Sequence, residues 1–205
     1  MKKVIVFDWS GVVKDAVISQ LWVVNKIFNK YGIEEISLNE FKENWVQPYM
    51  AFYNKYLPDL SLEQQKMDYS ESVLDANCPK SKAFEGMVEL IKLLKDKGDY
   101  LVILSGDPPS TILPEITSWG LENVFDEIFI DVHDKTDILR NLIETNGFDP
   151  KNVYFVGDSN HEIEAGKQVG VNTIAVTWGF GTEQNLKLYN PDFMVHSVEE
   201  LKKIL

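Results

Sequence analysis

Short apolar runs recur along the chain at intervals that leave room for one helix between them. The first is Val-Ile-Val-Phe, and a strand is predicted over Val4–Trp9. Comparable β-branched or apolar runs lie at Tyr100–Ser105, Glu127–Asp131, Val153–Asp158 and Asn172–Thr177. The segments between many of them carry a helical period. In "GMVELIKLLKDKG", Val88, Ile91 and Leu94 share a face and Gly98 supplies the stop. "TDILRNLIETNG" repeats the arrangement with Ile138, Leu142 and Gly147, and "HEIEAGKQVG" ends at Gly170. Strands alternating with single helices predict parallel βαβ units, hence an α/β fold.

One stretch breaks the alternation. Between Lys14 and Lys82 no strand pattern is seen. Val17, Leu21, Val24 and Phe28 mark one helix, Phe41, Trp45 and Tyr49 a second, and Leu62 to Leu74 a third. Aromatic residues crowd this stretch, and a helical subdomain core accounts for most of them. The expected organisation is a core of residues 1–13 and 83–205, with residues 14–82 as a helical insertion after the first strand.

Composition narrows the partners. The chain has 205 residues, 44% of them hydrophobic, enough for a substantial core. A net charge of −12 argues against nucleic acid or an anionic membrane as a partner. It also means that an anionic substrate would need a cation beside it. Cys78, the single cysteine, excludes an internal disulfide and has no zinc-ligand spacing around it. The opening apolar run is broken at Asp8, so neither a signal peptide nor a membrane span is predicted there, and a soluble cytoplasmic protein is expected.

The chemistry-bearing residues gather at strand ends. In open α/β sheets ligands bind beyond the carboxyl ends of the strands. Asp8 follows VIVF, Ser105 follows LVIL and opens "SGDPPS", Lys135 lies in "VHDKTDIL", and Asp158 ends "VYFVGD". Singly, each has an ordinary reading as a turn residue, a helix cap or a solvated lysine. His133, His161 and His196 are read as structural or exposed, and Asp107 and Asp134 receive no role. "WGFG" at Trp178–Gly181 is read as a tight loop near the site.

Taken together, "DWSGV", "LSG", "HDKTDIL" and "GDSNHEIEAG" resemble, in order and context, the motifs of the haloacid dehalogenase-like hydrolase superfamily. The resemblance is to its phosphatase branch, and it spans the whole chain. It implies a three-layer Rossmann-like parallel sheet with residues 14–82 as an inserted helical cap. It implies a Mg²⁺-dependent phosphatase acting on a small phosphorylated metabolite, with Asp8 as the nucleophile. By the same resemblance Mg²⁺ is held by Asp8, the Ser10 backbone carbonyl and Asp158, with Glu162 behind them. Ser105, Gly106 and Lys135 would hold the phosphoryl group.

Ser10 departs from the pattern. The family's phosphatases carry a second Asp two residues after the nucleophile, which protonates the leaving oxygen and then activates water. Alternation places Ser10 on the same side as Asp8, with Trp9 pointing away. A hydroxyl is a poor acid and base near neutral pH, and loss of a general acid–base costs on the order of 10²–10⁴-fold. Three readings stay open: a phosphatase weakened at Ser10, a protein that binds phosphorylated ligands without catalysis, or a different hydrolase. "DWSG" is similar to the "DWAG" of phosphonoacetaldehyde hydrolases, which use a cap lysine as a Schiff base, here Lys26, Lys30 or Lys42. A phospho-accepting receiver module also combines Asp, Mg²⁺, Ser and Lys. In that fold, however, the acidic ligands precede the accepting Asp, and there is no large helical insertion.

Overall fold

The structure is a computed structural model in which residues 2–132 and 134–205 are described. Six parallel strands form the central sheet: β1 (Val4–Phe7), β4 (Tyr100–Leu104), β5 (Glu127–Phe129), β6 (Val153–Gly157), β7 (Asn172–Val176) and β8 (Phe193–Val195). Their order is β5-β4-β1-β6-β7-β8, so β1 lies inside the sheet between β4 and β6. β1 is buried on both faces because its side chains alternate into two cores. Ile5 and Phe7 pack with α5 (Met87–Asp96), α6 (Pro109–Ser118) and α10 (Val198–Ile204). Val4 and Val6 pack on the other face with α7 (Lys135–Asn146) and α8 (Asn160–Val169). The predicted glycine stops fall where α5, α7 and α8 end. β8, α10 and the short α9 (Glu183–Leu188) complete the far edge.

From β1 the chain crosses to β4 and β5, then returns to β6 on β1's other side. That reversal opens a crevice at the carboxyl ends of β1, β4 and β6, where an open sheet places its ligand. The strands stop one or two residues short of their predicted ends. After Phe7 the chain turns sharply, and the Trp9 carbonyl accepts the amides of Val12, Val13 and Lys14 at 2.9–3.2 Å. Asp8 and Asp158 therefore stand just past their strands.

The insertion holds four helices, not three: α1 (Val17–Lys30), α2 (Leu38–Asn44), α3 (Tyr49–Tyr56) and α4 (Leu62–Val73). The single helix expected through Phe41, Trp45 and Tyr49 is broken by Pro48. Proline lacks an N–H and disfavours helix in the residue before it, and Trp45 is already extended. The insertion also begins and ends in strand, contrary to the strandless reading. β2 (Lys14–Asp15) pairs antiparallel with β3 (Lys82–Ala83), zipping the two crossings together. Glu115 of α6 anchors this ribbon, since its carboxylate meets Lys14 Nζ at 2.7 Å and accepts the Trp9 indole N–H at 2.7 Å. No helix among the described residues is long and apolar enough to cross a membrane.

Phe28, Phe41, Trp45, Phe52 and Tyr53 form the core of the insertion, and Phe180 of the sheet domain joins them. Its ring lies 5.1 Å from that of Trp45 and 6.0 Å from that of Phe41. Removing a buried Phe side chain typically costs about 3–5 kcal/mol. Phe180→Ala is expected to speed amide exchange in α2 and α3 while β1 and β6 stay protected. Hydrogen-exchange mass spectrometry checks this, and unchanged exchange in α2 and α3 would refute the anchoring role.

Candidate active site

Four loops converge at the carboxyl end of the sheet. Asp8 follows β1, Ser105 follows β4, Lys135 opens α7 beyond β5, and Asp158 follows β6. All four are buried. Lys135 donates to Asp8 Oδ1 at 2.8 Å and to Glu162 Oε1 at 2.6 Å. Glu162 is held from behind. Its Oε2 accepts the Ser159 backbone N–H at 3.1 Å and the Ser159 hydroxyl at 2.7 Å, which caps α8. Carboxylate oxygens of Asp8, Asp158 and Glu162 all lie within 4.8 Å of one another.

Three buried carboxylates share one buried ammonium, and their protonation reflects it. Burial pushes Asp8 up to about 7, against the pull of Lys135 and with a further push from Glu162. Burial raises Asp158 well above the carboxylate range, and the charges of Asp8 and Glu162 add to this. Burial would also raise Glu162, but Lys135 overcomes it and holds Glu162 below its ordinary value. Burial alone would lower Lys135, whereas Asp8 and Glu162 hold it above the ordinary lysine value. Asp158 accepts the Phe180 backbone N–H at 2.6 Å, and no lysine or arginine among the described residues forms an ion pair with it.

Such a set fits a hard divalent cation. It offers clustered carboxylate oxygens, Asp158 forms no ion pair among the described residues, and a cation between them would favour the charged forms of Asp8 and Asp158 against the push of burial. The surrounding backbone is cut back to leave the space open. Gly11 has φ +87°, and a Cβ there would sit 1.9 Å from Asp158 Oδ2. A Cβ on Gly179 would sit 2.1 Å from the same oxygen. Only glycine fits either place.

A cavity of about 360 Å³ opens above these groups. Asp8, Ser10, Ser105, Gly106, Lys135 and Asp158 all reach its wall, while Glu162 stands behind Lys135. Ser10 therefore faces the site as expected, although it lies in the turn after β1 and not on the strand. Trp9 points into the core, stacked on Trp119 at 5.2 Å. The insertion supplies the roof through Trp45, Tyr49, Tyr53, Lys66 and Tyr69. Among the described residues the Trp45 indole N–H and the Tyr53 hydroxyl are buried without a hydrogen-bond partner.

Other expectations sort differently. Lys26, Lys30 and Lys42 do not reach the cavity. Lys26 pairs with Asp75 at 2.5 Å and Lys30 with buried Asp68 at 2.7 Å, so both brace the helices. The lysine that the insertion does present is Lys66, on a helix whose pattern marks no special position. His161 is half-buried on the cavity wall, and burial lowers its pKa. His196 is exposed and bonds Thr177, and His133 lies outside the described residues. Asp134 caps α7. Asp107, given no role from sequence, reaches the cavity and accepts the Ser10 hydroxyl at 2.7 Å and the Ser105 hydroxyl at 3.3 Å. Its place in "SGDPPS", at a strand end, was the available signal.

A family model described as haloacid dehalogenase-like hydrolase matches residues 5–176. The chain belongs to the haloacid dehalogenase-like hydrolases. A phosphoglycolate phosphatase from Synechococcus elongatus is 25% identical over 201 residues, covering 96% of this chain and 94% of the relative. The pyrophosphatase PpaX of Bacillus pumilus is 29% identical over 127 residues, 60% of this chain and 59% of its own length. Among solved structures, a predicted phosphatase from Clostridium acetobutylicum superposes with a TM-score of 0.82 at 22% identity. That match covers 100% of this chain and 98% of the other. A putative haloacid dehalogenase-like hydrolase from Bacteroides fragilis gives 0.85 at 19% identity, over 98% and 100%. The three-layer α/β fold read from the sequence is the fold of this family.

Lys135→Met tests the charge arrangement of this hydrolase. Removing one partner of a buried ion pair typically costs about 3–5 kcal/mol, because the remaining charge is left uncompensated. Urea denaturation at neutral pH should show a loss of about that size. A loss below about 1 kcal/mol would mean that Lys135 does not hold the carboxylates together.

Proposed function

We propose that this chain is a Mg²⁺-dependent phosphatase that hydrolyses a small phosphate monoester through a covalent intermediate on Asp8. The observation that carries the reading is the bond from Lys135 to Asp8 beside the Asp158 carboxylate, which forms no ion pair among the described residues, at the floor of the cavity. Asp8, the Ser10 backbone carbonyl and Asp158 would hold the cation, which when bound supplies positive charge to the phosphate oxygens.

Each side chain then has a task. Lys135 offsets the repulsion between the Asp8 carboxylate and an incoming dianion, and offers a charged donor to a phosphate oxygen. Ser105, with the amides of the turn through Gly106, receives another phosphate oxygen. An Asp8 oxygen attacks phosphorus, the ester P–O bond breaks, and the leaving oxygen takes a proton. Water then attacks the same phosphorus, the bond to Asp8 breaks, and inorganic phosphate leaves. Glu162 keeps the Lys135 ammonium aimed at Asp8. Residues 14–82, as the cap, exclude water from the closed site.

The roof favours a leaving group with polar atoms. Lys66 lines that roof and offers its ammonium to such atoms. The relatives named phosphoglycolate phosphatase and pyrophosphatase support a small phosphorylated substrate. The three lysines expected for the phosphonoacetaldehyde hydrolase reading, Lys26, Lys30 and Lys42, lie away from the cavity, and Lys66 is the insertion lysine that lines it.

A screen of phosphorylated metabolites with Mg²⁺ tests the proposal. Phosphate release is expected to stop on chelation and to return with Mg²⁺. Asp8→Asn, isosteric and without a nucleophilic carboxylate, should lower turnover on the order of 10³-fold or more with the circular-dichroism spectrum unchanged. Full activity in excess chelator would remove the metal from the account, and wild-type turnover by Asp8→Asn would remove the nucleophile.

A further inference from the structure

We propose that Asp107 supplies, through the Ser10 hydroxyl, the proton transfers for which residue 10 itself has no carboxylate. The inference rests on the reading of Asp8 as nucleophile. The observation behind it is a contact between residues 97 positions apart: Ser10 Oγ donates to Asp107 Oδ2 at 2.7 Å, and both side chains face the cavity that holds Asp8.

The backbone of Asp107 is fixed at both of its polar groups. Its N–H donates to Ser105 Oγ at 3.1 Å, and its carbonyl accepts the Asp131 N–H at 3.0 Å. The ordinary use of an Asp just before a helix is to cap it. Here α6 takes Pro108 as its N-cap and has no side-chain cap at all, so the Asp107 carboxylate is free of that duty. It turns instead towards two hydroxyls, Ser10 and Ser105, that flank the place where the phosphoryl group is held.

A hydroxyl bonded to a carboxylate passes protons both ways. When water attacks the phosphorus on Asp8, its proton moves to Ser10 Oγ as the Ser10 proton moves to Asp107. The P–O bond to Asp8 breaks, leaving phosphate, free Asp8 and protonated Asp107. In the next cycle the Asp8 oxygen attacks the ester, and the departing oxygen takes the Ser10 proton while Ser10 takes the one on Asp107. One proton is stored and one is returned per turnover, so no further reactant is needed. Ser10 touches the reacting oxygens, and Asp107 acts through it.

Asp107→Asn is the decisive variant, because an amide oxygen still accepts both serine hydroxyls while it cannot take the proton. With p-nitrophenyl phosphate, whose leaving group needs little protonation, it should give a burst of one nitrophenolate per chain. Steady turnover should then run about 10²-fold slower, and a phosphorylated chain should accumulate, seen by intact-mass spectrometry. Ser10→Ala should behave in the same way. Ser10→Asp in the Asp107→Asn background places a carboxylate at position 10 and should restore steady turnover at least tenfold, which a merely structural role for Asp107 would not allow. If Asp107→Asn turns over like the unaltered chain with no accumulated label, the assignment of Asp107 is wrong. It is equally wrong if the slow variant is not rescued by Ser10→Asp. If the unaltered chain neither releases phosphate nor takes a label from any phosphate monoester, the phosphatase reading falls and this inference with it.

Discussion

One buried ammonium sets the terms for the whole site. Lys135 must offset Asp8 and Glu162 in a place with little water, while Asp158 is left to the Phe180 amide. Separate carboxylates would repel and protonate at these separations. What keeps them together is the sheet, whose order places β1 between β4 and β6 and so brings three loop starts to one crevice. The cost of this crowding falls on stability and its benefit on chemistry, as at many active sites. The arrangement suits the proposed reaction, in which an anion is brought to the Asp8 carboxylate.

The same crowding ties the insertion to the floor of the site. Phe180 gives its backbone N–H to Asp158 and its ring to the aromatic cluster of Trp45 and Phe41. The residue that fixes the unpaired acid is thus also the residue on which the helices rest. The β2–β3 ribbon confines the other side of the insertion, and Glu115 fastens that ribbon to α6. Roof and floor are held at a few definite points around the cavity.

Much of this was legible from residue order. Strands β1, β4, β6 and β7 announce themselves because both of their faces are buried, so their runs are almost wholly apolar. The helices between them carry a single apolar stripe. Asp8, Ser105, Lys135 and Asp158 were legible because each follows such a run or opens the next helix. The break at Pro48 was visible as a residue but was outweighed by the spacing of Phe41, Trp45 and Tyr49. The β2–β3 ribbon is only two residues a side, too short for any period. Lys66 was missed, and Asp107 was named without a role, for a different reason. The strand-end position of Asp107 hinted at the site, but its contact with Ser10, 97 positions away, leaves no local trace, and nothing in its helix pattern sets Lys66 apart.

The central claim is that Asp8 becomes covalently phosphorylated. The most direct measurement mixes the chain with a phosphate monoester and Mg²⁺, quenches in acid, reduces any acyl phosphate with borohydride and maps the peptides by mass spectrometry. The account predicts that residue 8, and no other, is converted from aspartate to homoserine, with the fraction converted rising when breakdown of the intermediate is slowed. Steady phosphate release with residue 8 unmodified at every quench time, or a label on another carboxylate, would contradict it.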